Sequence, residues 1–344
     1  MRIFCRLRIS VVCVAVGLVC GCAAPPPAPS VPPTTPPVRA RERPAPLPPP
    51  VRKVRRLLLR PERTYVLSAT PVAAASRDPG EGVLWLVSGH RVRAFRLGEV
   101  PEETVSVEPE LPANVVTLSC GRGTACLGLA DESLVVVRPD GKTVRETGFF
   151  QRVNQVLPLP DGRVAVADNR AVTLLRPGEV GGERKVNRVS YDILSLAEIG
   201  DGRLVLGTRA GKLLVFDPTA GAVVAGAHRH TGAVNALRVR GGTVMSVSSD
   251  GRVGFWGLDL TLKRLFNGRG AALTHVVLLS SGRFATADAD GVVRLWTPDG
   301  RPIASHRPGA AVATLAAWGE DAVAVLLRNG KLVRIRLVEV VQEK

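Results

Sequence analysis

Seven times along this chain, a short run of alternating apolar and polar residues meets a tight turn and a second run that ends on a large apolar side chain. The clearest copies are Gly242–Trp256, GTVMSVSSDGRVGFW, and Gly282–Trp296, GRFATADADGVVRLW. In the first, Val244, Ser246 and Ser248 alternate with Met245 and Val247. Asp250-Gly251 supplies the turn, and Arg252–Trp256 forms the returning strand. The closing apolar residues are Phe95, Val137, Leu175, Phe216, Trp256, Trp296 and Ile335, spaced 38 to 42 residues apart. Six residues before each lies a turn position: Gly89, Asp131, Asn169, Ala210, Asp250, Asp290 and Asn329. All but Ala210 are Gly, Asp or Asn, which accept positive φ or bond their own backbone. A unit of this size cannot bury its apolar faces alone and must stack on copies of itself. The period and strand content predict an all-β, seven-bladed β-propeller with four-stranded antiparallel blades.

Seven such repeats account for roughly residues 64 to 344 of 344, so no second domain is expected. With 4% aromatic residues the core must rest on Val, Leu and Ala. The seventh repeat ends soon after its marked strand, Lys331–Leu337, and lacks an outermost strand. Val54–Arg60, VRRLLLR, stands before the first repeat and is the expected donor. Its pairing into the last blade would close the ring and leave no exposed sheet edge there. The propeller domain is therefore placed at residues 51 to 344.

The segment ahead of it reads differently. Arg2, Arg6 and Arg8 precede an apolar run, Ile9–Val19, of eleven residues, too short to span a bilayer, which takes about 20. The run leads into Val19-Cys20-Gly21-Cys22, which resembles a bacterial lipoprotein signal covering residues 1 to 21. That resemblance implies lipidation of Cys22 and a membrane anchor. By the same resemblance, Ala23 after the cysteine, in place of Asp, implies the outer membrane under the enterobacterial sorting rule, and the periplasmic side is expected over the cell surface. Residues 25 to 50 hold thirteen prolines and few apolar side chains, so residues 22 to 50 are expected to form a disordered, extended spacer. The net charge of +16 is concentrated ahead of the first repeat: residues 39 to 63 carry nine basic groups against Glu42 and Glu62. Attraction to an anionic membrane surface fits that placement, whereas an envelope location argues against nucleic acid as a partner.

The repeats resemble those of WD40 proteins, and repeat five carries the likeness best: His230-Thr231-Gly232-Ala233-Val234, Ser248-Ser249-Asp250-Gly251, then Trp256. In that family a hydrogen-bonded chain stiffens the blade. The resemblance implies that His230, Ser248, Asp250 and Trp256 form it here. Departures are many: Gly257 and Thr297 follow Trp256 and Trp296, and Arg269 stands where repeat five has its histidine. Phe216-Asp217-Pro218-Thr219-Ala220-Gly221 also resembles the quinoprotein-like propellers, a group that includes an outer-membrane assembly lipoprotein and usually has eight blades.

No catalytic residues, metal ligands or cofactor are expected. His90, His228, His230, His275 and His306 show no metal-ligand spacing, and the mature chain has no nucleophile elbow or phosphate loop. Cys120 and Cys126 flank GRGTA, which reads as a hairpin turn that would set the two sulfurs opposite each other as a disulfide. The leading expectation is a monomeric, non-enzymatic platform for envelope protein partners. An outer-membrane assembly factor and a propeller hydrolase or lyase are the alternatives. The chain has only fourteen aromatic residues, and the links entering repeats three and four stand out for combining them with arginine: Phe149–Arg152 and Arg188–Tyr191. Phe150, Arg152, Arg188 and Tyr191, with His228 at the edge, are the expected partner-binding residues.

Overall fold

Seven four-stranded antiparallel sheets arise because each repeat supplies one sheet and hands the chain to the next. The structure, a computed structural model, describes residues 53–77, 82–149, 152–179, 184–320 and 322–343. Blades one to six each use four consecutive strands in sequence order. Blade five, for example, runs Val234–Arg240, Thr243–Ser248, Arg252–Trp256, Leu262–Asn267. The first strand of each blade touches the first strand of the next, and that of blade seven touches that of blade one. The seven inner strands therefore close a ring, and the fold is the expected seven-bladed propeller.

The last blade takes Val312–Ala317, Ala322–Leu327 and Lys331–Glu343 from the C-terminal end and Lys53–Val66 from the other. The donor strand is longer than the sequence suggested. Val54–Arg60 lies opposite Arg336–Gln342, and the residues opposite Lys331–Ile335 are Pro61–Val66. Leu59 is buried beneath this pairing, and Glu62 forms ion pairs with Arg334 and Arg336 of the partner strand.

The core is seven clusters, each trapped between consecutive blades, the last joining blade seven to blade one through Leu84, Leu326 and Trp318. Middle strands such as Val83–Ser88 and Ala322–Leu327 are buried at every position, because both faces of a blade meet a neighbour. All seven repeat-marking residues are buried. Small aliphatic residues suffice because a blade packs against two others and needs no single large core.

The cysteines do not form the expected disulfide. A two-residue turn with positive φ at Arg122 and Gly123 sets the register so that Cys120 faces Ala125 and Cys126 faces Ser119. The offset is one residue, so the thiols point to opposite faces of the blade. Cys126 packs between blades two and three, where burial pushes its thiol up to about 12. Cys120 packs between blades one and two.

Candidate functional site

Two surfaces gather chemistry-bearing side chains: the face that carries the links between blades, and the central channel. On the link face, in five blades the turn between second and third strands is tied to the link before it by a backbone hydrogen bond, as in Arg209 N–H to Asp192 O and Ser249 N–H to Ala233 O. The links and these turns therefore share one side of the ring.

Blade five shows how that side is held. The Trp256 indole N–H donates to Ser246 Oγ at 2.8 Å, and Ser246 Oγ is 2.8 Å from His230 Nε2. His230 Nδ1 is 3.1 Å from Asp250 Oδ2. One arrangement of protons satisfies every contact: Ser246 donates to Nε2, and Nδ1–H donates to the carboxylate. Ser248, expected in this chain, lies outside it. It donates to Gly232 O and accepts from Asp250 N–H, bracing the turn itself. The reason is register: Ser246 sits opposite Gly254, and the indole folds over that glycine to reach it. A Cβ on Gly254 would come within 2.7 Å of both Trp256 Nε1 and Ser246 Oγ, so only glycine leaves room.

Burial pushes the His230 imidazole below its ordinary value, and the Asp250 charge only partly opposes this. Burial works to raise the Asp250 carboxyl, but N–H groups of Thr231 and Arg252, with His230 beside them, more than offset it and hold the group low. Blade six solves the same problem differently. Trp296 donates to Thr286, and Arg294 pairs with the buried Asp288 over Gly270. Sequence reading missed this pair because an arginine replaces the histidine from another strand.

Arg152, Arg188 and His228 of the expected partner-binding set are exposed on or beside the link face. Phe150 lies outside the described residues. Tyr191 is half-buried: Lys212 Nζ donates to its hydroxyl at 2.6 Å and sits 4.2 Å from its ring centroid. Phe149 is buried between blades two and three, with Arg184 over its ring. Around Tyr191 the structure adds residues the sequence did not single out. Arg170 and Arg209 both approach Asp192, at 3.8 and 3.6 Å, and Arg229 is exposed next to His228. The link side of blades three and four thus carries a basic rim with Asp192 as its counter-charge.

The channel is lined by the inner strands of all seven blades and holds a cavity of about 390 Å³. Six of those strands carry a bulge just after their first pair, for example between Val234 and Ala236 and between Leu273 and His275. A bulge re-aims the residue that follows. Thr117, Ser195, His275 and Thr314, which follow bulges, line the channel, with Arg238 and Arg328 beside them. Among the described residues no group of three or more His, Cys, Asp or Glu is placed to hold a metal ion.

Ring, blade count and channel define a seven-bladed β-propeller. No family model and no curated protein matches the sequence. The solved structures add the fold alone. A chain in the crystal structure of a mitotic checkpoint complex is similar with a TM-score of 0.69 and 12% identity, over 80% of this chain and 94% of that one. In all 1651 solved chains match, so the architecture by itself singles out no activity.

Proposed function

We propose that this chain is a non-catalytic interaction platform held at the bacterial cell envelope, and that its partner is a protein with an acidic surface. The basic rim on blades three and four carries the reading. Arg152, Arg170, Arg188, Arg209 and Arg229 stand exposed there, with Lys212 and Tyr191 locked together at its centre. A fixed aromatic flanked by arginines is the composition of an interface hot spot, and the unbalanced positive charge favours acidic partners and fast association. The structural neighbour comes from a multi-protein complex, which agrees with use of the fold as a scaffold.

The envelope location is supported by sequence: the basic start, the short apolar run, Cys22 and the proline-rich spacer occur in the order that an anchored domain needs. Lipid on Cys22 would hold the propeller at the outer membrane, and the spacer would set its distance from the surface.

The test places a photo-crosslinking residue at position 188 in the full chain, in cells, with the same residue at position 301 on the opposite side as control. A product specific to position 188 that disappears in an Arg170→Glu/Arg209→Glu variant supports the reading. Equal products from both positions, or a product indifferent to the charge reversal, overturns it.

A further inference from the structure

Three basic side chains from three consecutive blades meet in the channel. Arg238 comes from the inner strand of blade five, His275 from that of blade six, and Arg328 from the turn that follows the second strand of blade seven. Among the described residues, no carboxylate forms an ion pair with any of them. Arg238 Nη1 donates to Leu237 O at 2.8 Å and Arg328 Nη1 to Ala73 O at 3.3 Å, both backbone carbonyls. Each guanidinium has five N–H donors, so most of their capacity is unspent. Glu198 is the acid among the lining residues, and its carboxylate accepts from Gly200 and Gly202 N–H instead.

The channel is roomy enough for a small molecule, and its donors extend beyond the arginines. Gln155, Asn235 and Thr274 also line it. Arg238 is shared with a second cavity of about 610 Å³ at the opposite mouth, whose lining adds one positive and one negative side chain, Arg240 and Glu320. The positive field registers on His275: burial first, then the charges of Arg238 and Arg328, bring its imidazole down to about 4. At neutral pH this ring is therefore uncharged, with Nδ1 2.9 Å from Thr274 Oγ1 and a hydrogen bond to the Ala313 backbone.

Both arginines are exposed to the channel, so their unspent donors are available to a solute that enters it. We propose that the central channel is a binding site for a small oxyanion, a molecule bearing a phosphate or carboxylate that Arg238 and Arg328 clasp. Guanidinium forks match both oxyanions in geometry. Confinement strengthens the attraction, since water in the channel screens less than bulk solvent. The site is separate from the basic rim and does not depend on what binds there.

Isothermal titration of the full chain with inorganic phosphate and, separately, with succinate tests the assignment. Saturable one-site binding of either supports it: phosphate alone assigns a phosphoryl ligand, succinate alone a carboxylate, and both a general oxyanion site. Arg238→Gln and Arg328→Gln should each weaken binding about tenfold or more, as expected for losing a charge-assisted hydrogen bond. Arg301→Gln, on an exposed turn away from the channel, should leave it unchanged. The two channel variants are made independently, so a folding defect in one leaves the other decisive. No binding of either anion, or binding unaffected by a folded Arg238 or Arg328 variant, overturns the proposal.

Discussion

The Trp256 indole nitrogen lies 2.8 Å from the hydroxyl of Ser246, ten residues back and one strand across, and on this contact the whole polar chain of blade five depends. Ser246 is fully buried and serves both Trp256 and His230. Ser246→Ala leaves two buried polar groups without a partner. Its expected cost is about 2–4 kcal/mol, from roughly 1–3 kcal/mol for each orphaned group with partial relaxation. Ser248→Ala, which loosens only a turn, should cost about 1 kcal/mol. Chemical denaturation of both variants distinguishes them. A larger loss for Ser248→Ala would show that the chain does not run through Ser246.

Trp85 offers the converse case. It is as buried as Trp256, but its indole nitrogen has no hydrogen-bond partner. Trp85→Phe removes an unsatisfied donor along with some volume, whereas Trp256→Phe strands Ser246 and His230. Trp85→Phe should therefore be the milder change, by about 1–2 kcal/mol in unfolding free energy. Equal losses would mean that volume alone sets the cost at both sites.

What the sequence made legible follows from periodicity. Spacing of the large apolar residues gave blade count, strand pairing and the turn positions, because each reports a local pattern repeated seven times. Its failures came from register. Which serine meets the indole depends on Ser246 lying opposite Gly254, two residues along the same strand face from Ser248, and whether Cys120 and Cys126 share a face depends on a one-residue offset set by the turn at Arg122-Gly123. The channel cluster was hidden for another reason. Arg238, His275 and Arg328 are dozens of residues apart in sequence, and only ring closure and the inner-strand bulges bring them together.

Ring closure is the next point of test. Lys53–Val66 supplies the outer strand of blade seven, and Leu59 is buried beneath it. Removing residues 53–66 exposes the edge of Lys331–Glu343, and the expected result is aggregation with a lower melting temperature. Leu59→Asp should weaken the same seam by about 2–4 kcal/mol. A truncated chain that stays monomeric with an unchanged melting temperature would show that the ring holds without its strap.

The last prediction concerns pH. His230 has its folded pKa lowered from 6.5, chiefly by burial, and His275 falls to about 4. His306 moves the same way for the same reason. When the folded pKa is depressed, the unfolded chain binds the proton more tightly, so acidification favours unfolding. The stability held by neutral imidazoles is fully present above about pH 6.5 and is lost as pH falls towards about 4. Asp250, also lowered, extends the loss below its ordinary value of 3.8. Protonating His230 would also break the chain, since Nε2 could no longer accept from Ser246. Urea midpoints measured from pH 8 to pH 4 should be flat above about pH 6.5 and fall below it. His275→Asn should flatten part of that fall, and His230→Gln another part. A midpoint that rises on acidification, or a slope indifferent to both substitutions, would mean that these imidazoles do not sit neutral in the folded ring.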